Sequence, residues 1–570
     1  MANFFKSLFG HIKKIEHLLN EYLNRSEGSA QLPYLAYVNW GISLSQAENL
    51  DEALEKLETS AQMNPNSPVV QLNLGQVYMK KGLYEEAIRR FKKTIRLDNT
   101  NGFAYSLVAA CLIMQDEFKD AETFYKKAIS ISPNNPEILV NYATALARRG
   151  KRFKALDIYR EALKISPTNF DALHCSGVLL CELGKYEEAL EQLLAADAVT
   201  PNCAETLLYL SICKYYLEDY EKSYEYVNKS LEIKSDSPDA KMIQGACLAK
   251  LGKEAECLSC FSANAKESEG HPRYFTFWAI ALQTFGRYAE AKEKFLQAFE
   301  LNRDDEYNLY FFAENYLKEG NSTPALQLFQ KIVEINPRNA AAYEKIGNIM
   351  YQKAKYKDAI DAYMNAIKVS RKHNHLYCDI AKCYYDAGDL KNSENYYVKA
   401  IDYNPDLIDA YIGYANLMMQ IGNNKEALRK IRTAHKKAPE SFDVYVVYSR
   451  ALIKMEMYKD AIEKLDKIIE MEPEYYDAVF TKAEVLNELN KPQEAIGLLQ
   501  MLPEELHDTR DFLSISMTSY NNLAQLSPSH YNISKAIEYC DRLTDKYSSE
   551  YKLSDVRHRL EETLKTIKGE

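Results

Sequence analysis

The stretch Leu74–Phe91, LGQVYMKKGLYEEAIRRF, carries the fold in miniature. Apolar residues recur at helical spacing on both sides of Gly82: Leu72, Leu74, Val77 and Tyr78 before it, Ile88, Phe91, Ile95 and Leu97 after it. That spacing predicts two helices, each with one apolar face. A glycine just past a helix end takes the left-handed conformation that stops the helix. Gly75 and Ala87 lie one on each helix, and small residues let two helices approach closely where they cross. The expected product is a helix–turn–helix pair.

In steps of 34 residues the same marks return along the chain. Ala87 belongs to a column running from Ala53 to Ala495, in which Ser223, Cys257 and Ser393 are the only departures from alanine. Gly75 belongs to a second column, from Gly41 to Ala483, whose fourteen members are all Gly, Ala or Ser. A third holds Gly82, Gly150, Gly184, Gly252, Gly286, Gly320, Gly388 and Gly422. A fourth places prolines such as Pro65, Pro133, Pro337 and Pro473 in the turn before the next helix, where a helix cannot continue through them. The phase holds without insertion from Tyr34 to Thr509. One pair cannot bury its apolar faces alone, whereas stacked pairs share a continuous core. The fold class expected is an all-α solenoid of fourteen tandem units.

The residues Leu74-Gly75, Tyr78, Gly82, Tyr84, Ala87 and Phe91, and again Ile346-Gly347, Tyr356, Ala359, Tyr363 and Ala366, resemble the tetratricopeptide repeat. The resemblance covers 476 of the 570 residues. It implies a right-handed superhelix whose concave groove is lined by the first helix of each unit. Residues 34–509 are then the fourteen repeats. Residues 510–550 are expected to form a divergent fifteenth, because Leu523-Ala524 and Ala536 recover the two small columns after a seven-residue slip. Residues 551–570 are expected to cap the array, with Val556, Leu560, Leu564 and Ile567 on one side of a helix.

Residues 1–33 differ from the rest. Phe4, Phe5, Leu8, Phe9, Ile12, Ile15, Leu18, Leu19, Tyr22 and Leu23 make one wide apolar face, and a polar linker follows from Arg25 to Gln31. This helix is expected to pack on the first repeat or on a partner. Weak membrane binding or self-association through residues 1–24 is the alternative, and acidic residues on the polar face count against the membrane.

Composition narrows the function. The net charge is −10 with acids and bases interspersed, whereas a nucleic-acid binder shows a basic stripe. No run of 18 apolar residues exists to span a membrane. The eleven cysteines are scattered, and Cys181, Cys213 and Cys257 fall at positions expected to be buried, where cysteine behaves as a small hydrophobe. With no secretory signal peptide, a reducing cytoplasm is expected. No phosphate loop, His-Glu-x-x-His or Gly-x-Ser-x-Gly occurs. Cys257 and Cys260 form a C-x-x-C that lacks a second pair. His373, His375, Cys378 and Cys383 gather around one helix start, but Cys383 points elsewhere on the turn. The 61 residues after Thr509 are too few for the catalytic domain that follows such repeats in O-linked N-acetylglucosamine transferases. No enzyme activity, cofactor or metal is expected.

Counting from the start of each unit, the family's groove faces positions two, five, six and nine. Three zones result. Asn39, Asn73 and Asn141 at position six resemble the start of a backbone-clamping asparagine ladder. Leu107 interrupts it, and Cys175, Tyr209, Ile243 and Phe277 follow. Phe277, Tyr307, Tyr310 and Phe311 form an aromatic middle zone suited to anchoring a partner. Lys345, Asn348, Lys382, Asn416 and Arg450 form a polar, partly basic zone suited to carboxylates, with Glu344 and Asp379 beside the lysines as internal partners. No three consecutive units satisfy the carboxylate clamp of chaperone-binding arrays, so no chaperone tail is expected to bind. Glu137, Asp171, Glu205, Asp239, Asp409, Asp443 and Asp477 at position two are expected to complement helix dipoles. The functional expectation is a non-catalytic scaffold that binds extended or helical segments of protein partners. The alternatives are an accessory subunit of a modifying enzyme, such as a glycosyltransferase, and a self-associating or membrane-recruited assembly factor.

Overall fold

The computed structural model describes residues 33–547 and 553–568. The amphipathic segment expected over residues 1–24 lies outside the described residues. Among the described residues every regular element is a helix. They divide into two units, one ending at Arg303 and one beginning at Asp304. The first holds repeats 1 to 8, and the second holds repeats 9 to 14 and the terminal helices.

Local chemistry starts and stops each helix. The residue before the first helix is often an N-cap: Asn101, Asn135, Asn169, Ser237, Asp305 and Asn339 each accept a backbone N–H of the first turn. Between the paired helices the glycine column has φ between 71° and 83° in all eight members. The six repeats without glycine there adopt the same left-handed conformation, at Glu48, Asp116, Glu218, Ala354, Glu456 and Asn490, with φ between 55° and 61°. An L-residue in that region costs about 1–2 kcal/mol. The packing of the two helices therefore overrides residue preference in those six turns.

That packing is built on size complementarity. A Cβ placed on Gly75 would meet Phe91 Cε1 at 2.5 Å, and one on Gly177 would meet Leu193 Cγ at 2.6 Å. Phe91 and Leu193 both stand at position 24 of their repeats. This column runs from Leu57 through Tyr125, Phe261 and Tyr363 to Leu499, and every member is a large buried hydrophobe. The alanine column at position 20 is fully buried throughout. Its three departures are accommodated in one way. Ser223 Oγ donates to the Ser211 carbonyl at 2.7 Å, Ser393 Oγ to Ala381 at 2.9 Å and Cys257 Sγ to Gly245 at 3.3 Å. Each acceptor is position eight of the same repeat, so none of these three side chains leaves its polar atom unpaired.

Within each unit, first helices mostly touch the first helix of the next repeat. Second helices touch their own partner and the first helix that follows. First helices thus form an inner layer and second helices an outer one. Three repeats depart from the pattern. The second helix of repeat 7 stops early, at Glu254–Asn264. Repeat 11 opens with a 3-10 helix, Arg371–Leu376, before its first helix, Tyr377–Asp386. The second helix of repeat 14 is short, Pro492–Leu499. Beyond it lie the paired helices Arg510–Leu526 and His530–Tyr547, then Ser554–Lys568. Ala524 and Ala536 are both buried.

Two stability effects are expected. Ala354→Gly removes the left-handed strain in repeat 10 and should stabilise that repeat by about 0.5–1 kcal/mol. Solenoids open locally, so slower amide exchange across residues 340–369 is the readout, and faster exchange would refute the strain. Gly75→Ala drives a methyl into Phe91 and should cost about 1–3 kcal/mol, seen as a lowered first thermal transition with helicity retained at low temperature.

Candidate functional site

The inner layer carries the expected binding residues, and the two units differ in what they present. In the first unit Asn39 is exposed, while Asn73 and Asn141 are half-buried. Asn73 Nδ2 donates to the Val69 carbonyl of its own helix at 2.8 Å, which occupies part of its hydrogen-bonding capacity. The residues that follow in the position-six column are covered: Leu107, Ile243 and Phe277 are buried. Phe277, 5 % exposed, packs 6.3 Å from the ring of Tyr215. The expectation that it anchors a partner is corrected on that point. Tyr215 stands on the first helix of repeat 6, two repeats before Phe277.

The second unit holds the rest. Tyr307, Tyr310 and Phe311, on Glu306–Lys318, form one half-buried cluster, with ring centroids 4.8 Å apart for Tyr307–Phe311 and 5.7 Å for Tyr310–Phe311. Tyr310 also stands edge-on to buried Phe329, and Lys345 lies 5.8 Å over its ring. These contacts pack the rings against one another before any partner arrives, and side chains already packed lose less entropy on binding.

The polar zone is partly self-paired. Lys345 Nζ lies 2.8 Å from Glu314 Oε1, one repeat back, and not on Glu344 as expected. Glu344 Oε2 instead takes His373 Nδ1 at 2.9 Å. Asn348 Oδ1 accepts the Tyr363 hydroxyl at 2.7 Å, leaving its amide nitrogen outward. Lys382 is 3.5 Å from Asp379 Oδ1, as expected. Burial opposes the Lys382 ammonium, but the carboxylates of Asp379 and Asp409 favour it, and its pKa lies above the ordinary lysine value. Burial pushes Asp379 upward despite that lysine.

Lys382, Asn416 and Arg450 stand at position nine of repeats 11, 12 and 13, and all three line one open cavity of about 1050 Å³. Its apolar lining includes Ile412, Val446, Val447 and Met419, and Asp386, Asp409 and Asp443 also border it. Gly413 deepens it: a Cβ there would collide with the ring of Tyr397, which lines the cavity beneath it. Tyr351 donates to Asp386 Oδ2 at 2.6 Å and ties repeats 10 and 11 at the same rim. Among the described residues Arg450 makes no ion pair, and it is exposed.

One surface escaped the sequence reading. On Asn424–Lys437, Lys425, Arg429, Arg432 and Lys436 flank a cavity of about 400 Å³ with Leu428 and Met455. The signal was present as basic residues spaced four, three and four apart, which places them on one helix face. The averaged charge of the chain concealed it.

Of the cysteines in the two motifs, Cys257, Cys378 and Cys383 are buried and Cys260 is half-buried. Cys257 is tied to the Gly245 carbonyl, and Cys260 Sγ donates to Gln244 Oε1 at 3.3 Å. Burial pushes their thiols up to about 12 and about 11, and pushes Cys378 and Cys383 up to about 12. A thiol held protonated is a poor nucleophile. Among the described residues no helix is long and apolar enough to cross a membrane.

Comparison with known proteins agrees with this architecture. Residues 114–301 match the model described as the Cilia and flagella-associated protein 70 middle TPR-like domain. Models of the tetratricopeptide repeat match residues 44–111, 310–374, 375–407 and 452–515. Stress-induced-phosphoprotein 1 of Caenorhabditis elegans is 33 % identical over 78 residues, 14 % of this chain and only 24 % of the nematode protein. The TPR repeat-containing protein YpiA of Bacillus subtilis is 25 % identical over 306 residues, 53 % of this chain and 72 % of that protein. The crystal structure of the APC/C hetero-tetramer Cut9–Hcn1 is 15 % identical, with a TM-score of 0.45, and covers 89 % of this chain and 98 % of the other. With the 34-residue period, the small-to-large packing of each helix pair and these repeat models in agreement, the chain is a tetratricopeptide repeat protein.

Proposed function

We propose that this protein is a non-catalytic scaffold that holds an acidic, extended segment of a protein partner along the inner layer of repeats 9 to 13. The observation that carries this reading is the 1050 Å³ cavity with Lys382, Asn416 and Arg450 at the same position of three successive repeats. An exposed guanidinium offers a fork matched to a carboxylate. The carboxamide of Asn416 can pair with a partner's backbone. Ile412, Val446 and Met419 supply the apolar surface that a bound segment would cover. Tyr310 and Phe311 extend the contact toward repeat 9 as rigid anchors. The eleven free cysteines favour a reducing, cytoplasmic location. The burial of Ala524 and Ala536, twelve residues apart like the two small columns, supports reading residues 510–550 as a fifteenth repeat, with residues 551–570 as its cap.

A displayed library of short peptides, selected on the full chain, tests the reading. Selected peptides should be rich in Asp and Glu. The double variant Lys382→Glu/Arg450→Glu should bind them at least about tenfold more weakly, a loss of about 1.4 kcal/mol, with helicity unchanged. Equal affinity for both chains would remove this groove from the site. Tyr310→Ala/Phe311→Ala should weaken the same peptides by about tenfold if they reach repeat 9. A peptide bound equally by that variant ends short of the aromatic cluster.

A further inference from the structure

Of the fourteen repeats that keep the 34-residue phase, repeat 11 is the one whose first helix is preceded by a 3-10 helix, Arg371–Leu376, in place of the usual turn. Arg371 stands where eight of the other repeats carry the turn proline. The altered turn brings His373 and His375 over Glu344, on the first helix of repeat 10. His373 Nδ1 lies 2.9 Å from Glu344 Oε2, and His375 Nε2 lies 3.7 Å from the same oxygen. One donor atom from each of the three side chains falls within 4.8 Å of the other two. Four ligands around zinc at ordinary bond lengths stand about 3.4 Å from one another, so the two measured separations bracket what an ion between these atoms requires.

The histidine tautomer is also set. His375 Nδ1 lies 3.4 Å from the Lys372 carbonyl, which can only accept a hydrogen bond. Nδ1 therefore carries the proton, and the Nε2 lone pair is free toward Glu344. A backbone carbonyl on the far nitrogen is the usual outer partner of a metal-bound histidine. Asp379, in the first turn of the following helix, lies within electrostatic reach of both His375 and Glu344 and adds negative charge. Glu344 and His373 are half-buried and His375 is exposed, so the cluster is open to solvent on one side. Asn374, between the two histidines, is buried with its carboxamide oxygen unpaired among the described residues. A buried acceptor without a partner is costly.

We propose that Glu344, His373 and His375 form a binding site for a divalent transition metal of the zinc class, which ties the turn of repeat 11 to the first helix of repeat 10. Two imidazoles and a carboxylate suit zinc, cobalt or nickel and not the hard cations, which take oxygen ligands. Three protein ligands leave a further coordination position toward solvent. Cys378 and Cys383, near the same turn, are buried, and their sulfurs do not join the cluster of ligand atoms. The site does not depend on what the neighbouring groove binds.

The test uses the full chain stripped of metal. Zinc titrated by calorimetry should bind the chain at one site, and Glu344→Gln and His375→Ala should each weaken that site at least about tenfold. Glu344→Gln keeps the side-chain volume, so it serves if a histidine variant misfolds. Cobalt should give visible bands without a thiolate charge-transfer band, which separates this site from the eleven free cysteines. Zinc should also slow amide exchange of residues 371–376 in the parent chain alone. Equal zinc affinity in parent and variants, a thiolate band, or no binding would overturn the proposal.

Discussion

The contact on which the structure rests is made inside each repeat, where a small residue at position eight receives a large one from position 24. Gly75 against Phe91 and Gly245 against Phe261 leave no room for even a methyl group. This contact sets how closely the two helices approach, and the buried alanine at position 20 repeats the condition from the other helix. The turn between the helices then has to bridge a short gap. Its residue at position 15 becomes left-handed whether or not it is glycine, as Ala354 and Glu456 show. Core packing is a gain spread over many atoms, and one strained residue is a small local cost beside it.

An array built this way tolerates irregularity, because each repeat answers only to its neighbours. The short second helix of repeat 7 and the 3-10 opening of repeat 11 interrupt no phase. Such departures are where new chemistry can enter, since the packed columns stay intact on either side. In repeat 11 the departure sets two imidazoles beside a carboxylate. Nowhere else among the described residues does the chain gather three metal-ligating side chains in this way.

Surface chemistry of the inner layer follows from the contact between successive first helices. At position six Leu107, Ile243 and Phe277 are buried, whereas Phe311 is half-buried. Position nine stays at the open side, and there the second unit displays Lys382, Asn416 and Arg450. Charges from adjacent repeats meet across the same contact. Lys345 reaches back to Glu314, and Tyr351 reaches forward to Asp386. Cations that are satisfied within the protein are less available to a partner, which distinguishes Lys345 from Arg450.

The amino-acid sequence by itself determined the period, the pairing of helices within a repeat and the places where they stop. These depend on residues close together in the chain, and helical spacing, glycine and proline act locally. It also showed that Cys257 belongs to a packing column, because its neighbours at multiples of 34 are small. The large residues at position 24 were legible too, since Leu57, Phe91 and Tyr125 recur at the same period, yet without the partner glycine's geometry they read as ordinary apolar positions. Only the tertiary structure decided which side chains of adjacent repeats meet. That depends on the rotation from one repeat to the next, which no single repeat encodes. It put Glu344 on His373 where Lys345 had been expected, buried Phe277, and gathered position nine of three repeats around one cavity.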